Sequence, residues 1–370
     1  MMSIETISYF IVMLGIAVAL VAALVAFVFR VGKEIVKYFK LLRHKDNPVL
    51  SPPEYSDWEA VGTYNPAAVK DDQGNVHIVY RAIGADGMSR FGYAVSPDGK
   101  NFGDKSPYPI FVMQSPRKPG EQDCLPKFDP VIYPSGGSWG GSEDPRMVRI
   151  DGRIYLTLNA FDGWDFLRVA VSSIDEKDFF SKKWKWSRPI FISPAKEIHK
   201  NWVLFPEKIN GKFAVLHSIV PKVEVEYIDN FNKFSDEGSF FIKSWCGPRI
   251  SLPPRKSWDT WIRSQGPPPI KTDKGWLVLY HAHERNEFHK YKLGAMLLDL
   301  NDPTKITHSS VGPILEPDEW YENDWKPGVI YACGAVVKDG ELFVYYGGGD
   351  KHVCVAHTPL NDLLESLIQV

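Results

Sequence analysis

The chain has 370 residues, of which 44% are hydrophobic and 13% aromatic, and a formal net charge of -2. This composition is typical of a globular protein with a large core, and the near-neutral charge excludes a whole-chain attraction to nucleic acid. The cysteines at 124, 246, 333 and 354 have no C-x-x-C spacing, so they indicate neither a zinc site nor a disulfide framework.

The first predicted element is a membrane-spanning helix. The stretch from Ile7 to Phe29 is uncharged and long enough, at about 1.5 Å per residue, to cross a hydrocarbon core of about 30 Å. A cleaved signal peptide is the alternative, but such peptides begin with a basic segment, and only Glu5 is charged before this stretch. Basic residues dominate from Arg30 to Lys45, which predicts a cytoplasmic C-terminal side. We therefore predict a single-pass membrane protein with an anchor at 1–45 and residues 46–370 in the cytoplasm.

The rest of the chain repeats one pattern. An apolar strand, a turn centred on glycine and a second strand ending in aromatic or polar residues recur along residues 65–350. Glycine in such turns supplies positive φ between runs rich in Val, Ile, Tyr and Phe, which is typical of a β-hairpin. The turn glycines are Gly74, Gly152, Gly211, Gly275 and Gly340. Regular repetition of such hairpins predicts an all-β fold, a five-bladed β-propeller over residues 46–370.

Chemistry is expected where the innermost strands of such blades converge. Aligning the repeats places in equivalent positions Asn65, Asp144, the Glu207/Lys208 pair, Gly266 and Cys333. The far ends of the hairpins add Arg81, His281 and Asp350. This set holds carboxylates, cations and an amide, with no metal-ligand cluster and no nucleophilic Ser or Cys beside a base. We therefore expect a polyhydroxylated or anionic ligand and neither a metal nor an organic cofactor.

Several strings together carry a family resemblance. In chain order they are NPAAV, YRA with SRFGYAVSPDG, EDPR, KNWVLFPEKINGK, GPPPI with GWLVLYH, YKLGAMLLDLNDP, and CGAVV with VYYGGGD. From about Asn65 to the C-terminus the chain resembles glycoside hydrolase family 130, the β-mannoside phosphorylases and mannosidases. The resemblance implies a five-bladed propeller that cleaves β-mannosides with inversion, by phosphate in the phosphorylases and by water in the hydrolases.

The resemblance also implies roles for single residues. Asp144, in EDPR, matches the catalytic aspartate, which is thought to donate its proton through a sugar hydroxyl. Asn65, Arg81 and Asp350 match the positions that hold the cleaved mannose. Residues at or near the phosphate-binding positions are Arg90, Arg168, Lys208 and His281. One departure weakens the phosphate assignment, because the arginine common after the third-unit histidine is Ser218 here.

The predicted function is phosphorolysis of β-mannoside oligosaccharides to mannose 1-phosphate, with Asp144 as proton donor and inorganic phosphate as co-substrate. A hydrolase of the same family is the alternative, and it needs a second carboxylate to activate water. Candidates for that base are Glu207, Glu224, Glu226 and Glu284. A non-catalytic glycan-binding propeller is a more distant alternative, which would not need the intact EDPR. The aglycone sugar and the oligomeric state stay open.

Overall fold

The computed structural model describes residues 38–113, 136–163, 166–195, 197–234 and 258–370, together with 13, 15–16, 18 and 20–21. The chain divides into two compact parts, Met1–Tyr38 and Phe39–Val370. The larger part is built of antiparallel strands, with short α-helices at Glu176–Phe180 (α1) and Leu360–Ser366 (α2). The all-β class predicted from the hairpin pattern therefore describes it.

The structure corrects the prediction of an N-terminal transmembrane helix. Within the stretch from Ile7 to Phe29, the residues 13, 15–16, 18 and 20–21 are helical, and the others lie outside the described residues. Across the described chain, no helix reaches the length and apolar character that crossing a bilayer requires. The predictions of a single-pass anchor and of the orientation derived from it are therefore wrong.

The strands form five consecutive antiparallel units. Unit 1 holds β2 (Gly62–Lys70), β3 (Val76–Ile83), β4 (Met88–Ser96) and β5 (Asp104–Lys105). Unit 2 holds β6 (Gly140–Ile150), β7 (Arg153–Phe161), β8 (Leu167–Asp175) and β9 (Ile190–Phe191). Unit 3 holds β10 (Val203–Leu204), β11 (Phe213–Ser218) and β12 (Glu224–Ile228), followed by a 3-10 turn at Phe231–Phe234.

Units 4 and 5 also take in the two ends of the larger part. Unit 4 holds β13 (Trp261–Gln265), β14 (Ile270–Lys271), β15 (Trp276–His283), β16 (Lys292–Leu298), β17 (Ile306–Ser309) and the last strand, β21 (Ile368–Gln369). Unit 5 holds β18 (Ile330–Lys338), β19 (Glu341–Gly348), β20 (His352–Pro359) and the first strand, β1 (Leu42–Arg43). A 3-10 turn at Trp320–Glu322 precedes unit 5.

The predicted hairpins are confirmed. All five turn glycines have positive φ, from 73° at Gly152 to 147° at Gly275. A β-carbon is disfavoured there, which is why glycine marks these turns in the sequence. Units 1 and 2 are joined into one sheet by a parallel pairing of Met88 with Gly140 and Ser89 with Gly141. The described strands therefore form four hydrogen-bonded sheets, of which one spans two units.

The core consists of clusters between neighbouring units. One cluster packs unit 1 on unit 2, and three others pack unit 2 on unit 3, unit 3 on unit 4, and unit 4 on unit 5. A further cluster joins unit 5 back to unit 1, where Phe343 and Tyr345 pack with Val76 and Ile78. Each unit therefore buries both faces of its strands against its two neighbours. The five-bladed propeller itself stays a prediction.

Candidate active site

A cavity of about 870 Å³ lies among the first strands and hairpin ends of the units. Its polar lining includes Asn65, Arg81, Asp144, Lys200, Asn201, Arg263, Ser264, His283, Arg285, His289, Lys326 and Asp350. Its apolar and aromatic lining includes Ile198, Trp261, Phe288, Tyr291, Pro327, Val329 and Tyr331. Units 1, 2, 4 and 5 contribute, as does the segment just before β10, and Asn65, Arg81, Asp144 and Asp350, predicted from the sequence, are among the lining residues.

Backbone irregularities aim the key side chains at this cavity. The pairing register shifts between Tyr64 and Ala67 in unit 1 and between Glu143 and Arg146 in unit 2. Asn65 and Asp144 lie within these shifts with φ of 48° and 49°, a left-handed conformation uncommon outside glycine. Such bulges redirect side chains next to functional sites, and strained backbone concentrates there. Asn65-Pro66 and Asp144-Pro145 therefore occupy equivalent positions, as the repeat alignment predicts.

Asp144 is held by hydrogen bonds on both of its oxygens. Its Oδ1 accepts from Asn65 Nδ2 at 2.8 Å and from Arg81 Nη1 at 3.2 Å. Its Oδ2 accepts from Asn159 Nδ2 at 3.2 Å, and the Asn159 amide also donates to Asn201 Oδ1 at 2.9 Å. The Asp144 side chain is 7% exposed and lines the cavity in a fixed orientation.

Surrounding cations set the ionisation of Asp144. Burial by itself raises the pKa of this carboxyl. The positive charges of Arg81, Lys200 and Arg146 and the hydrogen bond from Asn65 outweigh burial, so the pKa lies below its ordinary value. In the ligand-free protein Asp144 is therefore ionised at neutral pH. A ligand that offsets these positive charges would raise the pKa again.

Arg81 supports the site from within the protein. Its donors reach Ser89 Oγ at 2.8 Å, Ser138 Oγ at 2.8 Å and Glu143 Oε1 at 2.9 Å, besides Asp144. The side chain is 2% exposed. The Arg81 guanidinium therefore orients the carboxylates of Glu143 and Asp144. The resemblance implies instead that Arg81 binds the mannose directly.

Asp350, which follows β19 of unit 5, lines the cavity and has a φ of 51°. Its Oδ2 pairs with Lys326 Nζ at 2.7 Å, so its charge is locally neutralised. The preceding glycine run allows close packing, because a β-carbon on Gly347 would lie 2.1 Å from Asn65 Oδ1. Asp350 and Asn65, from opposite ends of the chain, are thereby brought together at one end of the site.

Two arginines predicted to bind phosphate are engaged elsewhere. Arg90 pairs with Asp86, four residues before it. Arg168 donates to the Ser193 carbonyl at 2.6 Å and lies over the Phe191 ring at 4.5 Å. Neither lines the cavity in the described part of the chain. Both stabilise their own units in this structure.

The Glu207/Lys208 pair is also displaced from its predicted place. Lys208 forms an ion pair with Asp151 at 2.8 Å, next to the turn of unit 3, and neither Glu207 nor Lys208 lines the described cavity. The counterpart of Asp144 in unit 3 is instead Asn201, which has φ of 66° and lines the cavity. The repeat alignment was wrong here because β10 is only two residues long and its polar residues come before it.

His281 is buried rather than presented to a ligand. Its Nε2 accepts from the Ala332 backbone amide at 2.9 Å, so its proton lies on Nδ1, 3.3 Å from Ser264 Oγ. Its ring stacks on Tyr331 with centroids 4.3 Å apart. Burial and the charge of Arg146 lower the pKa of His281 to about 3. The imidazole is therefore neutral and supports the cavity wall behind Tyr331.

The burial of neutral His281 predicts that the folded protein loses stability as the pH falls. Because the pKa of His281 falls from an ordinary 6.5 to about 3 in the folded protein, the unfolded chain takes up the proton first as pH drops below 6.5. Stability present above pH 6.5 should then be lost at about 1.4 kcal/mol per pH unit between these values. His217, with a pKa lowered to about 4 by burial, adds a similar loss. Urea unfolding at pH 7.5, 6 and 5 measures the slope.

The control is His281→Gln, which does not titrate and keeps an acceptor for the Ala332 amide. Its free energy of unfolding should depend less steeply on pH than that of the unmodified protein, with the contribution of His217 remaining. Equal slopes in the two proteins would contradict the assignment of the buried neutral form.

The cations that do line the cavity were not predicted as a set. Lys200 lies close enough to lower the pKa of Asp144, and its Nζ is 3.4 Å from Glu143 Oε2. Arg263 sits where the register of β13 shifts, between Ile262 and Ser264, and its guanidinium lies over the Tyr291 ring at 5.3 Å. Lys200 stands in the quoted string KNW, which was the available signal for it.

The glutamates needed for hydrolysis do not reach this cavity. None of Glu207, Glu224, Glu226 and Glu284 is among its described lining residues. Three of them pair with lysines, at 2.6 Å for Glu207, 3.2 Å for Glu224 and 3.0 Å for Glu284. Among the described lining residues the carboxylates are Asp144 and Asp350, and the described chain holds no cluster of three metal-ligating side chains.

Comparisons with known proteins identify the family to which the chain is similar. The family model of glycoside hydrolase family 130, described as β-1,4-mannooligosaccharide phosphorylase, matches residues 34–369. A 1,2-β-oligomannan phosphorylase from Thermoanaerobacter is 35% identical over 88% of this chain and 99% of its own. A β-1,2-mannobiose phosphorylase from the same organism is 32% identical over 86% and 97%. In the solved structure of a glycosyl hydrolase from Bacteroides ovatus the fold is shared, with a TM-score of 0.66 at 23% identity over 88% and 95% of the chains.

Proposed function

The chain belongs to glycoside hydrolase family 130, and on this basis we propose that it cleaves β-mannosides by phosphorolysis, releasing mannose 1-phosphate. The observation that carries the proposal is the charge of the cavity. Its described lining holds two carboxylates: Asp350 pairs with Lys326 and Asp144 is bound by Arg81, while Lys200 and Arg263 supply further positive charge. An inverting phosphorolysis needs one proton donor and cations for an anionic nucleophile, and no second carboxylate as base.

We assign the proton donor to Asp144. Because Asp144 is ionised in the free protein, it must take up a proton, from solvent or from dihydrogen phosphate, when the ligands bind. A phosphate bound near Lys200 would offset the charge that lowers the pKa of Asp144, and the carboxyl would then be protonated more readily. Substrate binding and protonation of the donor are in this way coupled through Lys200.

The mannose that is cleaved is assigned to the end of the cavity between Asn65 and Asp350. Both side chains are nearly buried, at 3% and 5% exposure, and their polar atoms can bind neighbouring hydroxyls of one ring. Arg81 orients Asp144 there through its hydrogen bond at 3.2 Å. The assignment of phosphate moves from Arg90, Arg168, Lys208 and His281 to Lys200 with Arg263.

The names of the relatives favour a β-1,2 linkage over a β-1,4 linkage. The two Thermoanaerobacter proteins, at 35% and 32% identity, are named for β-1,2-linked mannosides, and a β-1,4-mannooligosaccharide phosphorylase from Ruminococcus albus is 29% identical over 61% of this chain. We therefore propose β-1,2-linked mannosides as the preferred substrates.

Product analysis tests the proposal. The purified chain is incubated with β-1,2-mannobiose or β-1,4-mannobiose, each with and without inorganic phosphate. The expected result is mannose 1-phosphate from the β-1,2 disaccharide, formed only with phosphate. Free mannose at the same rate without phosphate would establish the hydrolase alternative. Binding of the disaccharide without any cleavage would favour the non-catalytic glycan-binding alternative.

A further inference from the structure

The loop between β15 and β16, residues 284–291, is fixed by one buried lysine. We name it the rim loop. Lys292 Nζ lies 3.0 Å from Glu284 and 2.9 Å from Glu287, both in the rim loop, and 3.4 Å from Glu316. The lysine side chain is only 6% exposed. A buried charge shared among three carboxylates is costly to leave unpaired, so this arrangement holds the loop in one place.

The backbone of the rim loop is fixed as well. The Glu287 amide donates to the Glu284 carbonyl at 3.0 Å, and the Lys290 amide donates to the Glu287 carbonyl at 2.8 Å. The Tyr291 amide donates to the Gly328 carbonyl at 2.7 Å, which ties the end of the loop to the segment before unit 5. The rim loop therefore has a defined backbone conformation as part of the cavity wall.

Its side chains face the cavity. Arg285, Phe288 and His289 line it, and Phe288 is 71% exposed. Arg285 forms no ion pair with the described residues. An exposed aromatic ring and an exposed cation that line one cavity are a combination typical of ligand sites.

Exposure changes across the cavity. Asn65, Asp144 and Asp350, where the reaction is assigned, are 3 to 5% exposed. Phe288 stands in the solvent-open part of the same lining. The volume of about 870 Å³ is near the upper end of ligand pockets, which span roughly 300–1,000 Å³. A ligand that starts at the buried end and leaves towards solvent passes the rim loop.

We infer that the rim loop is a subsite for sugar units beyond the disaccharide at the cleaved bond, with Phe288 as a stacking platform and Lys292 as its positioning residue. The inference rests on the proposed function. A pyranose presents an apolar face of C–H groups to an aromatic ring, while its hydroxyls can accept from Arg285. The loop would therefore set the preference for longer oligosaccharides and leave the chemical step unchanged.

Phe288→Ala tests the platform. Phosphorolysis rates are measured on β-1,2-mannobiose and β-1,2-mannotetraose. We expect kcat/KM for the tetrasaccharide to fall about 5- to 10-fold, mainly through KM, with the disaccharide unchanged within about twofold. Tyr108→Ala is the matched control, because Tyr108 is 74% exposed and does not line the cavity. Tyr108→Ala should leave kcat/KM unchanged for both substrates.

Lys292→Met tests the positioning role. We expect it to raise KM for the tetrasaccharide as Phe288→Ala does, while kcat on the disaccharide is kept. Lys292→Arg, which retains the charge, should restore the tetrasaccharide KM. Lys271→Met is the control, since Lys271 pairs with Glu207 in the same unit at an exposed position. If Lys292→Met does not fold, Phe288→Ala still decides the inference.

The outcomes separate the subsite from the proposed function. If the unmodified protein releases no mannose 1-phosphate from either substrate, the proposed function fails. If it cleaves both and Phe288→Ala lowers both equally, or neither, the subsite is overturned while the proposed function stands. A selective loss on the tetrasaccharide supports the subsite.

Discussion

Asp144→Asn should lower kcat for phosphorolysis of a β-mannoside disaccharide by at least about 100-fold, the scale for losing a general acid. The carboxyl is the proposed proton donor, and an amide cannot transfer a proton to the leaving oxygen. The same contacts from Asn65 and Arg81 surround the substituted side chain, so KM should change less than kcat. Steady-state rates on the disaccharide measure the effect.

A second substrate serves as the control for Asp144→Asn. A 4-nitrophenyl β-mannoside has a leaving group that needs little protonation, so its rate should fall much less than that of the disaccharide. Thermal unfolding checks the fold, since the substitution leaves Arg81 and Arg146 with less compensating charge. A near-normal rate on the disaccharide would remove Asp144 from the role of proton donor.

Lys200→Met should raise KM for inorganic phosphate about 10- to 100-fold, the range of one charge-assisted hydrogen bond of roughly 1.5–3 kcal/mol. Lys200 lines the cavity and acts electrostatically on Asp144, so an anion that attacks beside this carboxyl would be held by it. The saturation curve for phosphate at fixed saccharide concentration measures the change. The KM for the saccharide should move less.

Lys208→Met is the matched control for Lys200→Met. Sequence reasoning placed Lys208 at phosphate, whereas the structure pairs it with Asp151 outside the described cavity lining. It should leave the phosphate KM within about twofold. If Lys208→Met raised the phosphate KM and Lys200→Met did not, the assignment of phosphate to Lys200 would be contradicted. The assignment to Lys208 made from the sequence would then be supported.

The sequence by itself determined the hairpins and part of the site. Turn glycines need positive φ, which is a local requirement, so Gly74, Gly152 and Gly340 are visible without a fold. Asn65-Pro66 and Asp144-Pro145 occupy the same place in their repeats, and both bulges confirm it. A single uncharged run, in contrast, led to a membrane helix that the described residues do not contain.

Only the tertiary structure decided which cations line the cavity together with Asp144. Lys200 comes just before β10 of unit 3 and Arg263 lies in β13 of unit 4, and whether a side chain there reaches the cavity depends on strand length and on where the register shifts. Repeat alignment assumes equal strands, so it selected Lys208 in place of Lys200. The neutral state of His281 also follows from burial and the nearby charge of Arg146, which no local pattern expresses. The pKa values of such groups depend on distances between residues far apart in the chain, and these distances are fixed only when the units pack together.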